Sequence, residues 1–535
     1  MLKHAACPLK GFFMHSIDIP ENLNAATIFV DRHISEGRAE KTAILCGDDR
    51  VTYRALAENV NRFGNVLLTL GIRMEQRVMI LMPDCPECVY GFFGAIKIGA
   101  VAIPVNTLLQ PADYEYLLND SRSEVLLVHT SLYSRIEPVI NNLRYIRHIM
   151  IVGGDAGDNL SYETLMKIAS PELTPAVTSK DDAAFWLYSS GTTGFPKGTI
   201  HLQHDMIIEA EYYAKRTIGL RETDVSFSVA KLFFAYGLGN GLYFALWVGC
   251  TTVLLPDRPL PHIVYETIDK FKPNVLYSVP TSYAALLHMA ETHGRTSLGK
   301  VRMCISAGEP LPKPLFEKWL ERFKVEILDG IGSTEILHIF ISNRPHRVKA
   351  GSTGEIVHGY EARILDDHGN ELSDGEVGTL YIKGDSIANG YWNKHEQSKV
   401  TFCGEWINTH DKFCRDKDGY FWYAGRSDDM FKVSGLAVWP SEVESLLSSH
   451  PSVLESGVVG VADEEGLIKP RAYVVLKDKS NAGDDLVKEL QEYVKSNTQP
   501  HKYPRSIIFI DELPKTATGK IQRYKLRKRA QTSRC

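Results

Sequence analysis

The sequence predicts an α/β protein, with a large N-terminal domain of αβ-layered subdomains plus a β-rich subdomain and a small α+β C-terminal domain. Three observations lead to this prediction. The chain has 535 residues, enough for two or more domains. From about Thr42, short apolar runs alternate with helical runs, as in βαβ units with a largely parallel sheet. After about Lys349, the pattern changes to hairpin-like pieces.

The alternating pattern assigns the individual elements. Helices are predicted for residues 53–71 and 87–99, each with a glycine near its end. Short apolar runs predict strands at 42–47, 77–83, 100–105, 124–130, 148–154, 183–188, 251–256, 274–280, 301–308 and 325–332. Because ligand loops follow the carboxyl ends of parallel strands, we expect the functional site at those ends.

The last part of the chain has an alternation of its own. GVVGVAD, RAYVVLK and SIIFID predict strands, and a helix is predicted from about Asp485 to Ser496. The run GRSDD marks a boundary, so the predicted domains are 1–425 and 430–535, joined at 426–429. The basic tail from Lys520 to Arg534 favours a solvated terminal helix over a nucleic-acid site, because the whole chain is acidic.

Composition narrows the class of protein. With 44% hydrophobic and 23% charged residues, the chain resembles ordinary soluble globular proteins. A net charge of -5 gives no reason to expect nucleic acid or an anionic membrane as a partner. No signal peptide is recognisable, and the longest apolar stretch, 89–105, carries Lys97. Among nine scattered cysteines, Cys85 and Cys88 form one C-x-x-C, but no second pair follows at zinc-site spacing. Two structural thiols are therefore expected in preference to a redox or metal site, and a reducing cytoplasm fits.

The most informative stretch is YSSGTTGFPKG, from Tyr188 to Gly198, which follows a strand-like apolar run. Glycines let backbone N–H groups surround an anion, hydroxyls donate further hydrogen bonds, and a lysine adds a positive charge. The pattern is not the Walker loop. In that motif the last glycine is followed directly by Lys-Ser or Lys-Thr, which is not the case here. The predicted phosphate-binding residues are Ser189, Ser190, Gly191, Thr192, Thr193 and Lys197.

A second motif, DGIGSTE, runs from Asp329 to Glu335. An acidic residue directly after a hydroxyl suits a nucleotide–Mg²⁺ site, because Mg²⁺ takes few carboxylates together with phosphate oxygens. The motif is also an ordinary strand–turn–helix junction.

These motifs resemble those of the adenylate-forming superfamily, which comprises acyl-CoA synthetases, luciferases and the adenylation domains of peptide synthetases. The likeness is greatest to benzoate-CoA ligases and related aryl-CoA ligases, through AKLFFAYGLGNGLYF (230–244) and DGIGSTEILHIF (329–340). The resemblance implies that Thr334 contacts the α-phosphate, Glu335 holds Mg²⁺ and Asp329 reads the adenine amino group, with Gly330 beside it. Where many members have an aromatic residue this chain has Ile331, which is expected to line the acyl pocket.

The resemblance assigns further nucleotide contacts. The segment SAGEPLP places Gly308, Glu309 and Pro310 beside the adenine. Asp411 and Arg426 are expected at the ribose. His410 stands where the family usually has glycine, so a different loop geometry is expected there.

The C-terminal domain of the superfamily swings between two reactions, and the resemblance assigns its parts here. Asp428 matches the hinge position. Ser434, Gly435 and Leu436 match the loop that lines the coenzyme A tunnel. In PKTATGKIQR, Lys520 matches the single catalytic lysine, whose charge would stabilise the acyl-phosphate junction.

The function implied is an AMP-forming acyl-CoA synthetase that uses ATP, Mg²⁺ and coenzyme A, as a monomer or homodimer. The acid pocket is predicted to consist of Phe234, Ala235, Tyr236, Ile331, Gly332 and His338. It should take benzoate or a cyclohexane- or cyclohexenecarboxylate. A carrier-protein-loading enzyme would share every nucleotide motif, and a luciferase-like oxygenase would emit light from its adenylate. A non-catalytic binding protein would require the loss of key residues that are present here.

Overall fold

The protein is described here by a computed structural model that covers residues 17–189, 196–426, 429–433, 436–463, 467–515 and 521–532. Three sheets lie in the long N-terminal part and two in the C-terminal part of these ranges. The predicted α/β class, with a large N-terminal and a small C-terminal domain, is confirmed. No helix in the ranges given is long and apolar enough to cross a membrane.

The first sheet has seven strands. All neighbouring strands are parallel except the last pair, which is antiparallel. The spatial order is Leu160–Ser161, His148–Val152, Val125–His129, Arg77–Leu81, Val101–Pro104, Ala183–Ser189 and Lys197–Leu202. The antiparallel pair flanks the predicted phosphate loop, so Ser189 lies opposite Lys197 in the register.

The second sheet has nine strands, of which the six from Ile327–Gly332 to Thr42–Cys46 run parallel. The spatial order is Glu355–Ile356, Ile339–Ser342, Ile327–Gly332, Met303–Ser306, Val275–Ser278, Val225–Ser228, Thr251–Leu254, Thr42–Cys46 and Asp49–Thr52. The register places Ser278, Ser306 and Asp329 side by side, toward the carboxyl ends of three adjacent strands.

Helices pack on both sheets and bury their apolar faces in three hydrophobic clusters. The longer helices are Tyr53–Thr69, Pro86–Lys97, Pro111–Ser121, Tyr162–Ile168, Pro261–Phe271, Pro280–Thr292 and Lys313–Phe323. Four of these begin with proline, whose fixed φ suits the first helical position. Shorter helical segments are Thr27–Asp31, Arg32–Ser35, Thr130–Tyr133, Glu137–Asn142, Asp205–Glu209, Ala210–Thr217, Ala235–Leu238, Gly239–Tyr243, Phe244–Val248 and Thr334–Ile336.

The predicted β-rich subdomain is a five-stranded antiparallel sheet. Its strands are Glu361–Leu365, Gly378–Lys383, Phe402–Cys403, Trp406–Arg415 and Phe421–Arg426, with the helix His395–Thr401 before the third. The Asp411–Arg426 pair lies in register across the last two strands, at the end of the second.

The C-terminal part contains a ribbon, Phe431–Val433 with Leu436–Val438, and a three-stranded sheet. That sheet consists of Val453–Ala462, Ile468–Leu476 and Ser506–Phe509, and the helices are Pro440–Ser449, Lys479–Asn481, Asp484–Asn497 and Arg523–Thr532. The predicted terminal helix is present, but it is not wholly solvated, because Leu526 is buried against Val459 and Tyr473. The exact domain boundary stays a prediction.

Candidate active site

Asp329 lies at the base of the site, in the row formed with Ser278 and Ser306. Its carboxyl group is buried, and burial raises its pKa to about 8, although hydrogen bonds from Ser306 and from the backbone of Leu311 and Gly330 oppose the rise. No cation within the described ranges is paired with this carboxyl group, and a carboxyl group at the carboxyl end of a parallel strand is suited to hydrogen bonding with a ligand.

Lys197, Tyr391 and Glu335 form the centre of the site. The ammonium of Lys197 lies 4.1 Å from the centroid of the Tyr391 ring, within cation–π distance. The Tyr391 hydroxyl donates a 2.7 Å hydrogen bond to Oε1 of Glu335. Burial lowers the pKa of Lys197, whereas the charge of Glu335 raises it and that of Arg426 lowers it. A lysine from the phosphate loop and the carboxylate of the second motif are thus brought together.

The segment 388–392 makes this arrangement possible. Asn389 donates its backbone N–H to Ile200, and Ile200 donates to Gly390, so the segment runs along the strand that begins at Lys197. Ala388 donates its backbone N–H to the carbonyl of Glu335 over 2.9 Å. The sequence analysis missed Tyr391, because no local motif marks it as a partner of a residue 56 positions earlier.

Asp411 and Arg426 face each other across two antiparallel strands, with 3.4 Å between Oδ1 and Nη1. His410, the residue before Asp411, has a φ of 59°, which lies in the left-handed region that glycine favours. The expected difference from the loop geometry of the family stays a prediction. The two residues predicted at the ribose are together.

The predicted acid pocket has Tyr236 and His338 in contact. Their ring centroids are 5.4 Å apart, and Nε2 of His338 donates to the Tyr236 carbonyl over 3.1 Å. Burial lowers the pKa of His338 to about 3, so its ring is neutral. The Tyr236 hydroxyl donates to the carbonyls of Ser278 and Ile305, which fixes the ring against two strand ends.

The other predicted pocket residues lie on the segments 234–236 and 331–338, which also contain Tyr236 and His338. Phe234 is half-buried and precedes the helix Ala235–Leu238, and Ile331 packs with Tyr236 against the main core. Gly332 is required by close packing, since a Cβ there would lie 2.2 Å from the carbonyl oxygen of His338. The residues predicted to form the pocket are therefore apolar or neutral, as the lining of small-molecule sites usually is.

Other predicted residues within the described ranges are Gly308, Glu309, Pro310 and Gly330, which are expected at the adenine, and Leu436, which is expected at the coenzyme A tunnel. Gly308 has a φ of 91°, Glu309 accepts a 2.7 Å hydrogen bond from the Thr281 hydroxyl, and Pro310 is exposed. Gly330 lies next to Asp329 in the same strand. Leu436 is 54% exposed at the start of its strand.

Eight predicted site residues lie outside the described ranges. They are Ser190, Gly191, Thr192, Thr193, Asp428, Ser434, Gly435 and Lys520.

The chain is similar to known proteins along most of its length. It matches the AMP-binding enzyme family over residues 31–392 and the AMP-binding enzyme C-terminal domain over residues 442–520. A benzoate–CoA ligase of Thauera aromatica is 48% identical over 514 residues, which cover 96% of this chain and 97% of that protein.

Solved structures give the same picture. The anthranilate CoA ligase AuaEII in complex with anthranoyl-AMP has a TM-score of 0.93 and 42% identity, covering 96% of this chain and 99% of that one. A benzoate CoA ligase from Burkholderia xenovorans LB400 has a TM-score of 0.88 and 44% identity, covering 94% and 99% respectively.

Proposed function

Since the chain belongs to the AMP-binding enzyme family, we propose that it is an AMP-forming acyl-CoA synthetase that converts benzoate, or a similarly sized cyclic acid, to its CoA thioester. The carboxylate oxygen attacks the α-phosphorus of ATP, which gives acyl-adenylate and releases pyrophosphate. The thiol of coenzyme A then attacks the acyl carbon, its proton is lost, and AMP leaves. A carboxylate resists nucleophilic attack, and AMP makes its oxygen a leaving group.

The observation that carries this proposal is the Lys197–Tyr391–Glu335 arrangement beside Thr334. It supplies one cation and one carboxylate next to the phosphate loop, where a bound triphosphate would lie. Catalysis of this kind depends on placing charges before the reaction, and no covalent nucleophile of the enzyme is needed. We propose that Lys197 binds phosphate oxygens together with Ser189, Ser190, Gly191, Thr192 and Thr193, and that Thr334 contacts the α-phosphate.

The remaining groups would orient the nucleoside. A buried carboxyl group at Asp329 would accept from the adenine amino group, with Gly308, Glu309 and Pro310 beside the base. The Asp411–Arg426 pair would take the ribose hydroxyls, since a carboxylate is a good acceptor for two adjacent O–H donors.

The acid pocket supports a neutral ring as substrate. Its one imidazole, His338, is uncharged, and its other groups are aromatic, aliphatic or backbone. A ring placed between the 234–236 and 331–338 segments would point its carboxylate toward the phosphate side. We propose benzoate, with an alicyclic acid of similar size as the alternative, because the two rings differ little in volume.

Magnesium fits the donor set. No group of three or more His, Cys, Asp or Glu residues in the described part of the chain could hold a metal by itself. A single carboxylate, Glu335, is what a cation bound mainly by phosphate oxygens requires. The ion would neutralise phosphate charge, and Glu335, held by Tyr391, would fix its place.

Several roles rest on the family resemblance. We propose that Lys520 serves adenylation, that Asp428 is the hinge, and that Ser434, Gly435 and Leu436 line the way for coenzyme A. The seven cysteines within the described ranges are free thiols, in keeping with a reducing cytoplasm. We propose a monomer or homodimer.

A screen of ATP–pyrophosphate exchange over aromatic, alicyclic and aliphatic acids tests the substrate. Benzoate and the six-membered alicyclic acids should give the highest kcat/KM, and acetate and palmitate much lower values. A preference for acetate or palmitate over every ring acid would refute the pocket assignment. Thioester formed on a holo carrier protein in place of coenzyme A would indicate a carrier-loading enzyme.

A further inference from the structure

The turn Thr334–Ile336 is held from beneath by its backbone carbonyls. The Thr334 carbonyl lies 2.8 Å from Nε2 of His201, and the Ile336 carbonyl accepts a 2.8 Å hydrogen bond from the Ser386 hydroxyl. The Glu335 carbonyl between them accepts from the backbone of Ala388. Three successive carbonyls are therefore each bonded by a group from outside the turn.

The next residue shows why such support is needed. Leu337 has a φ of 78° and a ψ of -45°, a conformation that residues with a side chain rarely adopt. Such backbone persists only where the surroundings over-determine it. The support comes mainly from two side-chain branches, and neither belongs to a recognised motif.

The first branch is His201 with Asp205. Both side chains have no exposed surface, and Nδ1 of His201 lies 2.8 Å from Oδ2 of Asp205. The same oxygen accepts a 3.1 Å hydrogen bond from the backbone of Leu202, and the His201 ring stacks on Phe185 at 5.1 Å. Since a carbonyl only accepts, the Nε2 atom carries a proton directed at Thr334.

The second branch is Glu209, Tyr360 and Ser386. The Tyr360 hydroxyl lies 2.8 Å from Oε1 of Glu209 and 2.6 Å from the Ser386 hydroxyl, which in turn bonds the Ile336 carbonyl. These three contacts need three protons. Tyr360 and Ser386 supply one each and the carbonyl none, so the third belongs to Glu209. Burial raises the pKa of Glu209 well above its usual value, although its contacts with Tyr360, the backbone of His338 and Ser386 oppose the rise.

We propose that His201, Asp205, Glu209, Tyr360 and Ser386 form a buried clamp that positions Thr334 and Glu335 for the adenylation step. The five are positioning residues, because His201 and Ser386 bond the backbone carbonyls of the turn and the other three act through these two side chains. Glu209 acts as a neutral donor in this clamp, so this branch adds no net charge beneath the turn that is proposed to contact the nucleotide. The proposal rests on the proposed function, in which Thr334 and Glu335 serve adenylation.

The test uses the full-length protein and compares His201→Phe with His201→Gln. Phenylalanine keeps the stack on Phe185 but removes the donor, whereas glutamine presents an N–H where Nε2 was. His201→Phe should lower kcat for ATP–pyrophosphate exchange by about 10–100-fold, as loss of supporting contacts does at other sites, and raise KM for ATP less. Glutamine should restore at least a third of the wild-type kcat. Thioester formation from supplied acyl-adenylate should fall by less than about threefold.

His33→Phe is the matched control for folding. His33 is also fully buried and stacks on an aromatic ring, Tyr53, at 4.1 Å, but it accepts its hydrogen bond from Arg38, away from the turn. It should lower the melting temperature by as much as His201→Phe and leave kcat within about twofold. Equal kcat losses in the two variants, or equal losses of His201→Phe in both half-reactions, would overturn the clamp.

The proton on Glu209 has its own test. Glu209→Gln keeps a donor and no charge, so it should keep kcat within about threefold, whereas Glu209→Ala should lose about tenfold. If Glu209→Gln is as poor as Glu209→Ala, an ionised Glu209 is required and this part of the clamp is wrong. Wild-type protein without any exchange activity would instead refute the proposed function.

Discussion

The hydroxyl of Tyr391 donates a 2.7 Å hydrogen bond to the carboxylate of Glu335, while the ring of Tyr391 carries the ammonium of Lys197 on its face at 4.1 Å. One aromatic residue therefore spaces the cation of the phosphate loop from the carboxylate of the second motif. Without that spacer, the two opposite charges could pair directly, and neither would be directed to a nucleotide.

Tyr391→Phe separates these two roles. The ring remains, so Lys197 keeps its contact, but Glu335 loses a donor. A hydrogen bond to a charged group contributes about 1.5–3 kcal/mol, so the kcat for ATP–pyrophosphate exchange should fall about 10–100-fold. Titration with Mg²⁺ should show a higher half-saturating concentration.

Tyr420→Phe provides the comparison, because that hydroxyl donates to the Arg347 carbonyl at the surface. It should leave exchange activity and the Mg²⁺ dependence as in the wild type. An unchanged Mg²⁺ dependence in Tyr391→Phe would mean that Tyr391 does not position Glu335 for the metal.

Asp329 should make the stability of the free protein depend on pH. Its pKa is about 8 in the folded protein, against about 4 for an unfolded chain. A raised folded-state pKa contributes stability that is complete below about pH 4 and is lost as pH rises to about 8. Asp329→Asn lacks this loss, so its melting temperature relative to the wild type should rise between pH 5 and pH 9.

Asp158→Asn, at an exposed position, is the control for this series. Melting curves without nucleotide at pH 5, 7 and 9 decide the matter. A difference between Asp329→Asn and the wild type that stays constant with pH would show that Asp329 is already ionised in the folded protein.

Much of the fold follows from local sequence, because strands such as Val275–Ser278 and Met303–Ser306 are short apolar runs that end at turn residues. The pairing of strands within each sheet does not follow from local sequence. Thr42–Cys46 pairs with Thr251–Leu254, although Arg77–Leu81, the strand that follows the hairpin of Thr42–Cys46 and Asp49–Thr52, belongs to the other sheet. That choice depends on packing between distant segments, which periodicity does not record.

The residues of the candidate site also divide into those that local sequence predicts and those that it does not. Lys197, Asp329 and Glu335 stand in local motifs whose composition matches the chemistry, so they could be predicted. Tyr391 and His201 contact residues 56 and 133 positions away, and a lone tyrosine or histidine in a sequence has many other uses. The left-handed conformation of His410 was not predicted either, because residues other than glycine adopt it uncommonly.

Lys520 is expected to act in one half-reaction. Lys520→Ala should lower the adenylation rate by about 10²–10³, as loss of an oriented charge-stabilising donor does. Thioester formation from supplied acyl-adenylate should be affected much less, and the two half-reactions are measured separately. Lys528→Ala, on the following helix, is the control. Equal losses in both half-reactions would exclude the assigned role.

Tyr236 should limit the size of the acid. Tyr236→Ala removes the ring that faces His338 and should raise kcat/KM for 4-methylbenzoate relative to benzoate about tenfold, since one methylene-sized group in an apolar pocket is worth ~1–3 kcal/mol. Tyr236→Phe keeps the ring and loses only the bonds to Ser278 and Ile305, so the ratio should stay near that of the wild type. An unchanged ratio in Tyr236→Ala would place the ring of the substrate elsewhere.

The most direct test of the central claim is the product balance of the wild-type enzyme with benzoate, ATP, Mg²⁺ and coenzyme A. Chromatography of quenched samples should show one AMP, one pyrophosphate and one benzoyl-CoA for each ATP consumed, and benzoyl-adenylate should accumulate when coenzyme A is omitted. ADP and phosphate in place of AMP and pyrophosphate, or thioester formation without an adenylate, would contradict the account.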